Sequence, residues 1–387
     1  MPQDIHASLE RLIAALVQID SVNPTLDPDH PGEADLACFV STWCTDRGLK
    51  VDWLESYAPG RPSVVITAPG TGGGRNVLLY SHLDTVGVKG MAAPFEPRVE
   101  GDRMYGRGTI DMKASLAVCM LLVADAATRG LAGDVVLMCV ADEEHDSIGT
   151  REALAHLART ARFDAAIVTE VTSMELHVAH RGFALFEVEL EGKESHTSKP
   201  VEGVNALTHL GRLLAAVERH DEELRRRTPH PLLAHGSLQA VLAEGGQELF
   251  TTPSRASAAI ERRTLPGETA ATTLAELEAL LAELTAADPT VKPTVRQVLA
   301  RSPFEVAPGA EVLELLSVAI EAETGTAPPR IGAPYWTDAA LIAEAGIPTV
   351  LFGPTGGGIH QLDEWVDLGS VHAVMRVLRR VVGELAG

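Results

Sequence analysis

The chain of 387 residues is longer than one hydrophobic core usually organises, so its length predicts two domains. With 45% hydrophobic and 4% aromatic residues, the composition is typical of a soluble α/β enzyme and excludes a disordered or fibrous protein. The formal net charge of −21 argues against nucleic acid or an anionic membrane as a partner. Because the first residues lack signal-peptide features and no apolar run reaches the roughly 20 residues that span a bilayer, a cytoplasmic protein is expected.

From residue 9 to about residue 167, strand-like apolar runs alternate with helical patterns such as residues 115–128. This alternation predicts crossover units and a mostly parallel sheet. The four apolar runs at 76–80, 135–140, 165–168 and 348–352 lead, directly or through a short loop, into His, Asp or Glu. Since ligands of open α/β sheets bind at the carboxyl ends of the strands, these runs predict a functional site at one sheet edge.

The segment 180–303 has a different pattern. Strands are predicted at 183–190, 237–242, 255–262 and 294–299, and helices at 205–224 and 274–287. This βαββαβ order predicts a small two-layer, ferredoxin-like α/β domain. The first pattern then resumes, with helices near 311–323, 339–345 and 371–385 and a strand at 349–352. The predicted organisation is a catalytic domain at 1–179 and 304–387 with a second domain inserted at 180–303.

The residues at the strand ends each have an ordinary structural interpretation beside a functional one. His82 and Asp84 fit a hydrogen-bonded structural pair, and they also fit a metal-binding imidazole whose second nitrogen is held by a carboxylate. Asp111, which precedes a predicted helix, fits either a helix N-terminus or a bridging metal ligand. Glu143 and Glu144 follow an apolar run, and metal coordination by one of them explains why two charges approach the core.

A metal centre accounts for all of these residues together. Whichever of the two glutamates does not coordinate is free to shuttle a proton beside a metal-activated water, and Glu170 and His360 complete the set of ligands. Nitrogen and oxygen ligands without cysteine suit Zn²⁺, Co²⁺ or Mn²⁺. The set exceeds the roughly three protein ligands of one catalytic zinc ion, so two ions sharing Asp111 are predicted. Their charge would exceed that of the ligating carboxylates and attract an anionic substrate.

The same residues lie in motifs that together resemble a known family. The motifs are SHLDTV at 81–86, GRGTIDMK at 106–113, Glu143 with Glu144, Glu170, and GIHQLDE at 358–364. Over nearly the whole chain they are similar to the co-catalytic zinc amidohydrolases, which include acetylornithine deacetylase, succinyl-diaminopimelate desuccinylase, aminoacylase and glutamate carboxypeptidase. The resemblance implies a catalytic domain that holds two divalent metal ions, with Zn²⁺ as the first expectation for their identity. It also implies an inserted lid domain.

The resemblance also implies a role for each residue of the site. Asp111 would bridge the two ions, one completed by His82 and Glu170 and the other by Glu144 and His360. Asp84 would orient His82. Glu143 would be the general base that takes a proton from water and passes it to the leaving nitrogen.

The inserted segment is similar to the family's lid and dimerisation domain, which implies a homodimer. The sequence ESHTSKP at 194–200 contains His196, which would reach the site of a second subunit and stabilise the oxyanion. Arg263, two residues after Glu261, resembles the arginine that binds a substrate carboxylate, and a bidentate guanidinium suits that task. Departures from the family pattern occur at residues 114–115, at Val171, and at 250–253, which lacks a common substrate-binding asparagine; none removes a metal ligand.

The sequence therefore predicts a dinuclear metal-dependent hydrolase of the N-acyl-amino-acid deacylase type, which cleaves an amide bond next to a carboxylate. A metallo-carboxypeptidase or dipeptidase of the glutamate carboxypeptidase type uses the same residues and stays open as the alternative. A binding or scaffold protein without catalysis is disfavoured by the intact Glu143. The expected substrate is an N-acyl amino acid or short peptide with a free carboxylate. Residues 335–338 fit both a pocket lining and a buried structural cluster.

Overall fold

A computed structural model describes residues 3–387, with side chains from residue 8 onward. Met1 and Pro2, part of the segment in which no signal peptide is expected, lie outside the described residues. The helices are α1 Gln3–Val17, α2 Ala34–Thr45, α3 Ala114–Arg129, α4 Ile148–Leu157, α5 Ala206–Arg226, α6 Ala270–Ala287, α7 Glu311–Thr324, α8 Ala339–Glu344 and α9 Leu368–Ala386. The strands are β1 Lys50–Leu54, β2 Ser63–Ala68, β3 Val77–His82, β4 Arg98–Glu100, β5 Arg103–Tyr105, β6 Val135–Val140, β7 Ala165–Val168, β8 Leu176–His180, β9 Gly182–Glu191, β10 Ser237–Gly245, β11 Arg255–Thr264, β12 Lys292–Arg301, β13 Phe304–Glu305, β14 Arg330–Ala333, β15 Thr349–Leu351, β16 Gly356–Gly357 and β17 Trp365–Asp367.

The first of two compact units comprises Met1–Val178, Val306–Ile331 and Thr337–Gly387. Its main sheet has the strand order β1-β2-β6-β3-β7-β15-β8. The central strands β6, β3, β7 and β15 are parallel to one another, and β1, β2 and β8 add antiparallel pairs on either side. The prediction of an α/β fold with a mainly parallel central sheet is therefore confirmed.

The central strands are apolar along their whole length because both faces of the sheet are covered. Every residue of β3, β6 and β7 is buried, as is typical of parallel strands between layers of helices. Helix α3 packs on this sheet and on α1 and α9, while α2 and α4 also contact sheet strands. The helices predicted at 115–128, 311–323, 339–345 and 371–385 correspond to α3, α7, α8 and α9.

A small second sheet in the same unit has the order β16-β17-β5-β4, with antiparallel pairs throughout. Its strands have two or three residues each and carry no recognisable periodicity. The pairing of β17 with β5 joins segments that lie about 260 residues apart in the chain, aligning Trp365 with Tyr105. This sheet was not predicted from the sequence.

The second unit comprises Ala179–Glu305 and Gly332–Trp336. Strands β9 to β12 form an antiparallel sheet of order β10-β11-β9-β12, and the chain order is βαββαβ. Alternate residues of β9 and β11 point into a core shared with α5 and α6, so these two helices cover one face of the sheet. The predicted ferredoxin-like topology is confirmed. Among the described residues, no helix combines the length and apolar character needed to cross a bilayer.

Candidate metal centre

Three neighbouring strands bring ionisable side chains to one edge of the main sheet. His82 is the last residue of β3, Glu143 and Glu144 follow β6, and Glu170 follows β7. The parallel register pairs His82 with the last residue of β6, Val140, so the ends of these strands lie side by side. The predicted convergence of these residues at a sheet edge follows directly from this register.

Asp111 and His360 reach the same place from loops. Asp111 lies in the segment Thr109–Lys113 that leads into α3, where its own backbone is not helical, and His360 lies in the loop between β16 and β17. The Oδ1 atom of Asp111 is 3.0 Å from Nε2 of His82, and its Oδ2 atom is 3.2 Å from Nε2 of His360. The two oxygens of one carboxylate thus face two different imidazoles, an arrangement that fits a bridging ligand.

Two overlapping sets of ionisable side chains share Asp111. In the first, Nε2 of His82 lies 3.7 Å from Oε1 of Glu170, and in the second, Nε2 of His360 lies 3.3 Å from Oε2 of Glu144. Potential ligand atoms of His82, Asp111 and Glu144 also lie within 4.8 Å of one another. The two groups are therefore close enough to form one continuous cluster.

Glu143 belongs to the same cluster, since it joins His82 and Glu170 in a second set of ligand atoms within 4.8 Å. Geometry alone therefore admits Glu143 as a ligand as well as a base.

The electrostatics of the cluster fit divalent cations. Burial raises the pKa of Glu143 well above 4.5, and the negative charge of Glu170 adds to the increase. Burial also raises the pKa of Glu170 to about 8, with the charges of Asp111 and Glu144 contributing. The Oε1 atom of Glu144 is buried and accepts no hydrogen bond within the described part of the chain. Crowded carboxylates with a free acceptor, beside two imidazoles, are the donor set of a metal site.

The same carboxylates hold protons on both imidazoles. Hydrogen bonds to Asp111 and Glu144 raise the pKa of His360 to about 10. Burial lowers the pKa of His82, but its hydrogen bond to Asp111 and the charge of Glu170 outweigh burial and raise it well above 6.5. A metal ion would displace these protons, because a ligating imidazole is neutral.

Asp84 supports both glutamates as well as the histidine. Nδ1 of His82 lies 2.9 Å from the backbone oxygen of Asp84 and 3.6 Å from its carboxylate. The carboxylate itself accepts hydrogen bonds from the amides of Glu143 and Glu144, both at 3.1 Å, and from Nδ2 of Asn23 at 2.8 Å. The predicted carboxylate thus lies beside His82, and its hydrogen bonds hold the loop that follows β6.

A buried polar network, which was not predicted from the sequence, contacts the carboxylate of Asp84. Asn23 donates to the carboxylate of Asp142 at 3.0 Å as well as to Asp84. Arg61 in turn binds Asp142 at 3.1 Å and Glu33 at 2.5 Å. These four residues are spread over positions 23–142 and form no local motif, so no sequence signal identifies them.

The remaining predicted site residues belong to the second unit. His196 is exposed, and its Nδ1 atom lies 2.8 Å from the hydroxyl of Ser198. Arg263, on β11, donates from Nε to Glu261 at 2.8 Å, and its guanidinium lies 5.2 Å from the centre of the Phe183 ring. Both side chains thus have partners close by in the sequence or on the neighbouring strand.

The segment 335–338 divides between the two units. Tyr335 is exposed in the second unit, whereas Asp338 is completely buried in the first. The carboxylate of Asp338 accepts hydrogen bonds from the hydroxyls of Tyr80, at 2.7 Å, and Thr150. Asp338 therefore connects β3 to the start of α4 through these two hydrogen bonds.

Comparison with known proteins places the chain in a family. The model of peptidase family M20/M25/M40 matches residues 78–384. The chain belongs to this family. An acetylornithine deacetylase from Myxococcus xanthus is 28% identical to the M20 chain over 345 residues, and the match covers 87% of each protein. Family membership, hydrolase relatives and the cluster of metal-ligating side chains identify the protein as a metal-dependent amidohydrolase.

Solved M20-type structures share the fold over the whole length of the chain. The aminopeptidase PepT of Bacillus cereus superimposes with a TM-score of 0.80 at 20% identity, covering 99% of both chains. The YXEP protein of Bacillus subtilis, described as a dinuclear metal binding peptidase, has a TM-score of 0.76 at 13% identity, with 100% of this chain and 99% of the other covered.

Proposed function

We propose that this M20 protein is a dinuclear hydrolase of the N-acyl-amino-acid deacylase type, which cleaves an amide bond next to a carboxylate. The observation that carries the proposal is the carboxylate of Asp111, whose two oxygens face His82 and His360 at 3.0 and 3.2 Å. The 28% identity with an acetylornithine deacetylase over 87% of both chains supports the deacylase type.

In this proposal His82, Asp111 and Glu170 hold one ion, and Asp111, Glu144 and His360 hold the other. The nitrogen and oxygen donors suit Zn²⁺, with Co²⁺ or Mn²⁺ as alternatives. When bound, the ions supply Lewis acidity toward the amide carbonyl and toward water. Two divalent cations exceed the charge of three carboxylates, so the pocket favours a substrate that carries a free carboxylate.

Glu143 performs the proton transfers. Its carboxylate takes a proton from the attacking water and delivers it to the nitrogen that leaves, so one group serves first as base and then as acid. The hydrogen bond from its amide to Asp84, at 3.1 Å, fixes the backbone from which it acts.

The role of Glu143 is tested by Glu143→Gln, with Glu344→Gln as the matched control on the exposed side of α8. Glu143→Gln should keep the metal content of the wild type and lose turnover, whereas Glu344→Gln should keep both. Turnover by Glu143→Gln close to that of the wild type would exclude Glu143 as the base.

The second unit supplies the oxyanion and carboxylate contacts in this proposal, with His196 acting in a homodimer and Arg263 as the carboxylate anchor. The dimer is supported by β10, an edge strand on which Val241 and Leu242 are 49% and 66% exposed. An exposed apolar edge strand is suited to pairing with a second chain. Leu242→Asp should therefore shift the molecular mass in solution from dimer to monomer, measured by light scattering.

Action of His196 across the dimer is tested by mixing subunits. Heterodimers of His196→Ala and Glu143→Ala chains contain one site with both groups intact if His196 acts on the other subunit's site. Activity in purified heterodimers, with none in either parent, supports this arrangement. Inactive heterodimers contradict it.

The substrate class is tested with N-acetyl, N-succinyl and N-formyl amino acids and dipeptides under identical conditions. The deacylase proposal expects the highest kcat/KM for one of the N-acyl amino acids. Highest turnover of dipeptides would favour the carboxypeptidase or dipeptidase alternative, and turnover of none of them would contradict both.

A further inference from the structure

The small sheet aligns the two loops that carry Asp111 and His360. Strand β5 ends at Tyr105 and leads directly into the loop with Asp111, while β17 begins at Trp365, directly after the loop with His360. Because Tyr105 and Trp365 are paired residues, the two loops leave neighbouring strands at the same level. A contact between the two loops near these strands therefore fixes the position of the Asp111 loop relative to the His360 loop.

Glu364 makes that contact from the end of the His360 loop. Its side chain is 1% exposed, and its Oε2 atom accepts hydrogen bonds from Nη1 of Arg107 at 2.6 Å and from the amide of Gly108 at 3.0 Å. Its Oε1 atom accepts from the amides of Ile110 at 3.1 Å and Asp111 at 3.3 Å. One buried carboxylate therefore binds the backbone that leads to Asp111, including the amide of Asp111 itself.

Arg107 completes the connection in the opposite direction. Its side chain is 2% exposed, and its Nη2 atom donates to the backbone oxygens of Gln361 at 3.0 Å and Gly87 at 3.1 Å. Gln361 directly follows His360, so Arg107 binds the His360 loop as Glu364 binds the Asp111 loop. Burial of an ion pair is costly unless further hydrogen bonds accompany it. Here the backbone of the two loops and Gly87 binds both charged groups, while the buried Nε atom of Arg107 makes no hydrogen bond within the described residues.

The two histidines of the centre depend on this pair to different degrees. His82 is the final residue of a central strand and is 1% exposed, so the main sheet holds it in place. The side chain of His360 is 51% exposed, and its backbone has a φ of +59°, a conformation that residues other than glycine rarely adopt. His360 therefore needs support from its surroundings, and Arg107 contacts the neighbouring residue.

We propose that Arg107 and Glu364 are positioning residues that lock the Asp111 and His360 loops together and so set the affinity for the ion held by Asp111, Glu144 and His360. The inference rests on the dinuclear centre of the proposed function. The ion held by His82 and Glu170 depends on the pair less, because His82 is the last residue of β3 and Glu170 closely follows β7, both in the main sheet.

The test is the metal content of purified holoenzyme and its variants after dialysis, measured by elemental analysis, followed by titration with Zn²⁺. Glu364→Gln should retain about one ion per chain where the wild type retains about two, and its Kd for the second ion should rise about 10- to 100-fold, the usual cost of removing a partner of a metal ligand. In the Glu364→Gln background, His82→Ala should abolish the remaining ion, which assigns it to His82.

Two further variants keep the test informative if Glu364→Gln folds poorly. Arg107→Lys retains the charge and loses the forked contact to Gln361 and Gly87, so it should weaken the second ion by a smaller factor. The double variant Arg107→Gln with Glu364→Gln should bind the second ion no more weakly than Glu364→Gln alone, because the two residues act as one unit.

Arg262→Gln is the matched control, since Arg262 is 1% exposed and binds Glu268 at 2.6 Å in the second unit. This variant should retain about two ions with unchanged Kd. Unchanged affinity for both ions in Glu364→Gln, or equal weakening of both, would overturn the inference while leaving the dinuclear centre intact. A wild-type protein that binds no ions would instead refute the proposed function from which the inference starts.

Discussion

Replacement of Asp84 by Asn tests how the loop after β6 is held. The carboxylate of Asp84 accepts three hydrogen bonds, from the amides of Glu143 and Glu144 and from Nδ2 of Asn23, and it is 1% exposed. An asparagine offers one acceptor oxygen and replaces the other oxygen with an NH₂ group. If its oxygen keeps the bonds to Glu144 and Asn23, the NH₂ group faces the amide of Glu143, and that bond is lost.

The expected magnitude follows from the lost bond. A hydrogen bond to a charged group contributes about 1.5–3 kcal/mol, and this one fixes the backbone of the proposed base. Each 1.4 kcal/mol or so of lost transition-state stabilisation lowers the rate tenfold, so kcat of Asp84→Asn should fall by roughly 10- to 100-fold. Asn23→Ala is the control within the network, because it leaves both amide bonds to Asp84 in place. Its effect on kcat should be less than about tenfold.

Steady-state kinetics of metal-reconstituted variants separate the outcomes. A fall in kcat with little change in KM is expected, since the loss concerns the base more than substrate binding. Elemental analysis of the same samples shows whether the effect arises through the metal ligands. A kcat of Asp84→Asn within about twofold of the wild type, at equal metal content, would refute the claim that this carboxylate holds Glu143 in place.

Three other properties can be checked independently. Arg263→Ala should raise KM for substrates with a free carboxylate and change KM little for the corresponding amides, as measured by steady-state kinetics. Cys38 is exposed, whereas burial raises the pKa of the other three thiols, so a thiol reagent near pH 8 should label one cysteine in the native protein and four after denaturation. Burial tends to raise the pKa of Glu276, but a hydrogen bond from Arg227 and the charge of Arg262 lower it below 4.5 overall. These ion pairs therefore stabilise the fold at pH values above the pKa of Glu276 in the unfolded chain, and the stabilisation is lost as pH falls through its lower pKa in the folded protein. In urea denaturation, Glu276→Gln should be less stable than the wild type near pH 7 and similar to it near pH 3.

Much of the main sheet and the ferredoxin-like topology could be predicted because their signals are local. The apolar runs of β3, β6 and β7 are continuous, and β9 alternates between buried and half-exposed residues along its length. Since the carboxyl ends of parallel strands lie together, the convergence of His82, Glu143, Glu144 and Glu170 follows from sequence position alone. The pairing of Asp111 with both histidines required the family resemblance.

The supporting contacts could not be predicted, because they join residues far apart in the chain. Glu364 and Arg107 are separated by 257 positions, and Asn23 and Asp142 by 119. Strands β4, β5, β16 and β17 are too short to show a periodic pattern, although their pairing determines where the two loops meet. The cis peptide between Asp111 and Met112 likewise has no sequence signal in a residue pair without proline.

We propose a dinuclear, metal-dependent amidohydrolase centre built around Asp111. Its most direct test combines elemental analysis of the purified protein with hydrolysis of N-acetyl-amino acids before and after chelation. Such a centre predicts about two divalent ions per chain, turnover that chelation abolishes and recovery when Zn²⁺ is restored. A protein without bound metal, or hydrolysis that survives complete removal of the ions, would contradict it.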